Sequence, residues 1–552
     1  MSVFRLLSSP QLTLTAAVVG LLLVLSGCAG SGGGGEARDS ARIVPDRWPA
    51  ADGGLSTVRA GCDVLGEPAE PGGHFTFALT DEVRPKHAPV PHNRAERVVF
   101  AQLYETLVNV ACDGTASAGL AEHWTCTADS TTWIFTLREG ARFWDGTRVT
   151  AEDVRRAWSS NQTSNQAANQ TADDRPAAAS PWSWINARAS SITAVDARRL
   201  AVQLPEPQAR FPLMLAHPAA AVALRQPGWT WPVGTGPARL RASDPAPRPL
   251  LECQPNTSHP LPPAWKSLTF RVTPQVDPRD LVAADIDLAL ARDLDTVGFF
   301  DEAPGFSTVP LPWERLYLLV CPPQTNTRGT AHWVGAAADL RISRDVTSIS
   351  ARDWDQIMFP VSGGNACPQL SGPISIPSAV PLDSELARYG LDAQTIAYLN
   401  ADPGATEIAG RLSHLSGSGA RIAGLSHADL SLALQWQMAG AFVICQEQLF
   451  PTGCLQLAAL MGRAAWLQKA GLARPEPGPA ETLVQAHNLT AGGARSPAEE
   501  LTSAGIVYPL ALGRGWLIVR GELAGLRLAY DGTPLLHDLG RAQAPTEPKA
   551  TP

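Results

Sequence analysis

The chain has 552 residues, a formal net charge of −8, and 47 prolines with 47 glycines. That acidic balance, without basic stretches, argues against nucleic acid as a partner, and 45% hydrophobic residues exclude a disordered chain. The length exceeds one ordinary core, so two or more lobes are expected. The first predicted element is a leader over residues 1–27. Arg5 gives a weak positive start, Leu12 to Leu25 is mostly apolar, and Leu25-Ser26-Gly27-Cys28 closes the run with small residues before a cysteine. The apolar run is short for a membrane span and is followed by glycines rather than a basic stop signal. Ser31 to Gly35 is nearly all glycine, and Glu36 to Ala60 is polar with no clear period, so residues 28–60 read as a flexible tether. No later segment is long and apolar enough to cross a bilayer.

Next comes Thr132–Trp158. Trp133, Phe135 and Leu137 alternate with Thr132, Ile134 and Thr136, the period of a strand. Asp145-Gly146 is a turn dipeptide. Thr150-Ala151-Glu152-Asp153 fits a capping pattern, with acids at the positive end of the helix dipole. Val154 and Trp158 then share a helix face. The acids Glu139, Asp145, Glu152 and Asp153 therefore have turn and capping work, which weighs against paired catalytic carboxylates.

In Leu311–Leu319, alternation puts Trp313, Arg315 and Tyr317 on one face. These could stack on a ligand and hold a carboxylate, or they could be packing residues. Trp229 and Trp231 carry the same two readings. His87 and His92 flank a proline-rich loop and suit either a metal contact or a solvated loop. Ile506–Leu510 and Trp516–Val519 read as paired strands separated by Gly513 and Gly515. Residues 542–552 are a proline-rich tail without expected order. The HExxH, GxSxG and Walker-type motifs are absent, and the cysteine spacings are not CxxC, so neither an enzyme nor a metal or cofactor is expected.

The leader's end resembles the lipobox of bacterial lipoproteins, which implies cleavage before Cys28 and acylation of its thiol. A wider resemblance lies downstream. Leu120-Ala121-Glu122-His123-Trp124, Trp133 to Gly140, Phe143-Trp144-Asp145-Gly146-Thr147 and Thr150 to Val154 are similar to the signature of family 5 extracellular solute-binding proteins. These are the peptide- and nickel-binding components of ABC importers. Phe75-Thr76-Phe77-Ala78-Leu79 resembles the family's first strand, Leu103 to Leu107 its following helix end, Val233-Gly234-Thr235-Gly236-Pro237 its return-strand motif, and Asp285-Ile286-Asp287-Leu288-Ala289 its acidic turn. Beyond Ala289 the likeness thins. Leu318 to Pro323 stands where the family carries an asparagine-bearing strand end. Arg421–Leu425, Leu432–Gln437 and Gly440–Val443 are similar to a strand–helix–strand unit.

The resemblance implies an α/β fold of the two-lobed periplasmic-binding-protein type, class II, with a hinge and a divergent second lobe. Lobe I would take residues 61–271 and 496–541, and lobe II residues 272–495. Gly234 and Gly236 would supply backbone freedom beside the hinge. Ligand-binding candidates are Thr80 and Asp81 in the loop after the first strand, with Trp313, Arg315 and Tyr317. Asp81 could meet a ligand amine; a helix cap or surface turn is the plain alternative. Nine cysteines less Cys28 leave an even set, which suggests disulfides in an exported chain. Short loops favour Cys112–Cys126 and Cys445–Cys454; the implied lobes favour Cys62–Cys253 and Cys321–Cys367. The implied function is capture of a small solute, a peptide by family default, and its delivery to an ABC permease by a monomer held by lipid to the outer face of a bacterial membrane. An envelope sensor or scaffold with a degenerate pocket is the alternative.

Overall fold

The computed structural model describes residues 42–43, 63–65, 72–110, 116–158, 191–204, 211–241, 250–274, 276–283, 285–311, 315–322, 333, 336–337, 340, 346–348, 388–416, 420–446, 460, 506–513, 515–521 and 523–542. The leader, Cys28, Cys62, Cys112, Trp313, Cys367, Cys454 and the tail beyond 542 lie outside the described residues.

The principal elements in chain order begin with β1 (Arg42–Ile43), β2 (His74–Leu79), α1 (Arg94–Leu103), β3 (Ala121–Cys126), β4 (Thr132–Leu137), β5 (Ser191–Ala194) and β6 (Arg199–Gln203). Then come β7 (Ala238–Leu240), β8 (Leu250–Pro255), β9 (Ser267–Val272), β10 (Leu288–Ala291), α2 (Leu294–Glu302), β11 (Phe306–Pro310) and β12 (Arg315–Val320). The remainder are β13 (Val346–Ser348), β14 (Thr395–Leu399), α3 (Pro403–Leu415), β15 (Arg421–Leu425), α4 (His427–Gln435), β16 (Ala441–Gln446), β17 (Val507–Gly513) and β18 (Trp516–Arg520).

Three sheets carry the fold. A five-stranded antiparallel sheet has the order β1-β3-β4-β6-β5. Its middle strand follows the alternation read from sequence: Trp133, Phe135 and Leu137 are fully buried, while Thr132, Ile134 and Thr136 are half-buried. Each of these large side chains contributes about 1.5–3 kcal/mol of burial. The helix from residue 151 starts as the capping pattern predicts. The Asp153 amide donates to Thr150 Oγ1 at 3.3 Å and the Thr150 amide donates to Asp153 Oδ2 at 2.9 Å. Asp145 accepts from the Thr147 amide, closing its turn. Trp158 is buried and donates to the Ala220 carbonyl, pinning that helix. Arg42 and Ile43, expected within a loose tether, pair instead with Cys126 and Thr125 on β3.

A seven-stranded sheet has the order β7-β8-β9-β2-β10-β18-β11, with β2 parallel to both β9 and β10. It is covered on both faces. Phe75, Phe77 and Leu79 face a core shared with α1, whereas Ala78, Ala289 and Ile518 face α2 through Val297 and Phe300. The acidic turn acts as a clip, since Asp287 accepts from the Thr76 amide at 2.8 Å. Burial holds the Asp287 carboxyl above its ordinary value. A six-stranded sheet has the order β13-β17-β12-β16-β14-β15. Leu316, Leu318 and Val320 on β12 face the side of α4, and Tyr317, Leu319 and Cys321 face the side of α3.

Sheet membership differs from the expected ranges. Residues 288–291 and 306–310, expected in the second lobe, pair in the seven-stranded sheet, where β10 runs alongside β2 and β11 alongside β18. The strands β17 and β18 do not pair with each other: β17 pairs with β12 in one sheet and β18 with β10 and β11 in the other. The chain therefore passes between these two sheets at 310–315 and returns at 513–516, where the Leu311 amide donates to the Gly515 carbonyl at 2.8 Å.

The disulfide expectations are corrected at three positions. Cys126, Cys253 and Cys321 are buried free thiols, so the Cys112–Cys126, Cys62–Cys253 and Cys321–Cys367 bridges are not formed. Each sulfur packs as a small apolar group in a core. Burial pushes the Cys253 and Cys321 thiols up to about 12. The fourth expected pair, Cys445–Cys454, has its second member outside the described residues.

Candidate functional site

A cavity of about 130 Å³ opens at the carboxyl ends of the parallel strands β2 and β10. Leu79, Thr80 and Asp81 come from the end of β2, Leu290, Ala291 and Arg292 from the end of β10. Arg94 and Ala95 open α1 beside it, and Asp293 caps α2. This is where an α/β sheet offers space to a ligand, because strands end and helix N-termini begin there. Thr80 and Asp81, singled out from sequence, therefore lie on a cavity wall.

The cations of this cavity were not singled out from sequence. Arg94 is only 6% exposed, and its Nη1 lies 3.4 Å from the Ala291 carbonyl oxygen. A signal was available, because an arginine directly after the Asn93 cap stands against the helix dipole. Arg292, following the apolar Leu288–Ala291, is the other. Among the acids, Asp293 accepts from the Thr296 amide at 2.7 Å, which commits its carboxylate to starting α2.

Arg315 and Tyr317 do share a face of β12, as alternation predicts, but they do not line this cavity. Both are buried in a closed cluster with Asp402. Arg315 Nη1 donates to Tyr317 Oη at 2.8 Å and lies 3.5 Å from Asp402 Oδ1, to which the Tyr317 hydroxyl donates at 2.9 Å. Asp402 also accepts from the Ala405 amide, capping α3. Burial and the nearby Arg292 charge both disfavour the Arg315 cation, yet Tyr317, Cys445 and Asp402 together more than offset them and hold its pKa above the ordinary value. Arg292 on the seven-stranded sheet and Arg315 on the six-stranded sheet are thus electrostatic neighbours.

The other candidates do not line this cavity. His87 and His92 stack with centroids 3.9 Å apart, and buried Glu96 accepts from the His92 amide and from His87 Nδ1. Among the described residues no group of three or more His, Cys, Asp or Glu side chains is gathered as for a metal. Trp231 packs edge-on to Phe100, and Trp229 is 45% exposed. Gly234 and Gly236 serve a close approach: a Cβ on either would overlap the Leu103 backbone, and the Gly236 amide donates to the Leu103 carbonyl at 2.9 Å.

Residues 115–325 match the model of bacterial extracellular solute-binding proteins, family 5 Middle. The chain is a relative of the family 5 solute-binding proteins. It is 27% identical over 237 residues to the nickel-binding periplasmic protein of Escherichia coli K12, covering 40% of this chain and 42% of that protein. It is 32% identical over 136 residues to the periplasmic murein peptide-binding protein MppA of the same organism, covering 22% of this chain and 23% of that one. The chain thus matches less than half the length of these curated relatives. The solved structure of the Escherichia coli murein tripeptide binding protein MppA superposes with a TM-score of 0.56 at 17% identity, over 87% of this chain and 100% of that one. This likeness concerns the fold, which is α/β and of the two-lobed periplasmic-binding-protein kind.

Proposed function

We propose that this family 5 relative is an extracytoplasmic binding protein that captures a small peptide-like solute and delivers it to an ABC permease. It would act as a monomer acylated at Cys28 and held to the outer face of the membrane. The carrying observation is the cavity at the ends of β2 and β10, beside the place where the chain crosses twice between sheets. Two crossings make a hinge, and a solute touching both sheets only when they approach shifts the population toward closure. The sheets then serve as lobe I and lobe II. Thr80 and Asp81 hold the solute from the first sheet, with Asp81 meeting an ammonium. Arg315 and Tyr317 support the opposing wall together with Trp313. No bond is broken, so the described clusters need no nucleophile or base.

Native mass spectrometry of the purified mature chain tests this reading. A solute released on denaturation, together with a rise in thermal midpoint across a peptide library, is expected. Persistent emptiness and no midpoint shift would contradict it. One observation favours a second reading, an envelope sensor or scaffold. The cavity's about 130 Å³ falls short of the roughly 300 Å³ at which ligand pockets usually begin.

A further inference from the structure

The loop between β2 and α1 is strung between two parts of the cavity wall. Thr80 and Asp81 lie just before it, and Arg94 and Ala95 just after it. A change of shape in this loop therefore moves one part of the wall against the other. One side chain gathers the loop. Glu96 on α1 is fully buried, and its Oε1 accepts from the Arg84 amide at 3.0 Å and from His87 Nδ1 at 2.7 Å. Its Oε2 accepts from the His92 amide at 2.7 Å. The two rings then lie face to face, with their planes only 7° apart.

Histidine is the side chain whose charge ordinarily changes between about pH 5 and 8. One added proton suits this arrangement, because the Glu96 carboxylate accepts at His87. A second does not. Two imidazolium rings with centroids 3.9 Å apart repel each other, and both are half-buried, so water screens them poorly. The charges around them add to the effect. From outside the loop, Arg225 donates to the Lys86 carbonyl at 3.0 Å and to the Ala88 carbonyl at 2.7 Å. Within the loop stand Lys86 and Arg84, the latter paired with Glu82 at 2.7 Å, and Arg94 follows on α1. Among the described residues, Glu96 is the acid that touches the pair.

We propose that the stacked pair of His87 and His92 makes the loop over residues 82–93 a proton-operated part of the cavity wall. At neutral pH the stack is closed and the wall is set for solute. In acid, a second proton parts the rings, draws the His92 amide away from Glu96 and lowers affinity. This control rests on the reading that a solute enters the cavity.

The test uses the mature chain, a mixed tripeptide library as probe, and calorimetry at pH 7 and pH 5. Affinity is expected to fall about tenfold or more between the two. His92→Phe keeps a flat ring against His87 but takes no proton. It is expected to bind as the parent does at pH 7 and to lose most of the acid effect. Hydrogen exchange of the unaltered chain, corrected for the intrinsic effect of pH, reads the loop without solute. The Arg84 and His92 amides are expected to lose about tenfold in protection at pH 5, while amides of the central strand β4 keep theirs. Unchanged affinity between the two pH values, or an equal loss in parent and His92→Phe, overturns the control and leaves solute capture intact. Unchanged protection of the two amides does the same, and that result needs no variant to fold. Absence of binding at both pH values overturns capture and control together.

Discussion

Two groups of charges flank the junction between the sheets, and they differ in what surrounds them. In the six-stranded sheet, Arg315, Tyr317 and Asp402 are buried and answer one another. At the end of the seven-stranded sheet, Asp81, Arg94 and Arg292 line a cavity. A closed cluster holds a fold in register, whereas charges around a cavity have something to offer a solute. The same residue types therefore do different work according to whether they close on one another or stand in a cavity wall.

The largest expected effect breaks the closed side of this comparison. Asp402→Ala strips the carboxylate from a buried guanidinium and removes the α3 cap, and should cost about 3–5 kcal/mol in urea unfolding. A loss below about 1 kcal/mol would show that the cluster is not closed in solution.

A second closed cluster adds a pH test. Glu105 takes both nitrogens of Arg138 at 2.7 Å and faces His259 Nε2 at 3.0 Å. Burial raises its pKa, but the bonds from His259 and Arg138 outweigh burial and leave it below the ordinary 4.5. A carboxyl depressed on folding adds stability that is present above the unfolded value and lost as pH falls through the folded one. Glu105→Gln should therefore cost about 1–3 kcal/mol at pH 7, and should flatten the stability loss below about pH 4.5. An unchanged acid limb in denaturation would remove Glu105 from this role.

Packing without charge comes next. Gly236→Ala forces a methyl onto the Leu103 backbone and should lower stability by about 1–3 kcal/mol. A neutral result by thermal unfolding would mean that the α1 end moves freely. The open side of the comparison gives the smallest change in stability. Asp81→Asn should stay within about 0.5 kcal/mol of the parent, yet weaken an ammonium-bearing solute about tenfold in calorimetry. A large loss of stability with unchanged affinity would make Asp81 a structural residue.

Local chemistry was legible where one stretch of chain decides it. The alternation of Trp133, Phe135 and Leu137, the Asp145 turn and the Thr150–Asp153 box all follow from neighbours in sequence. Thr80 and Asp81 were reachable through the resemblance, because a first parallel strand places its following loop at the ligand end of the sheet. Arg94 and Arg292 meet only because β2 and β10 pair across more than two hundred residues, and no local period records that. The same blindness explains the strands β17 and β18, adjacent in sequence but in different sheets. Cysteine parity misled for a related reason. An even count says nothing of whether two sulfurs approach, and Cys126, Cys253 and Cys321 each lie inside a core.

Capture by closure is tested most directly by small-angle X-ray scattering of the mature chain, with and without a saturating library of free-acid tripeptides. The account predicts a smaller radius of gyration on binding, as the two sheets draw together around the solute. An unchanged radius with solute demonstrably bound would contradict closure.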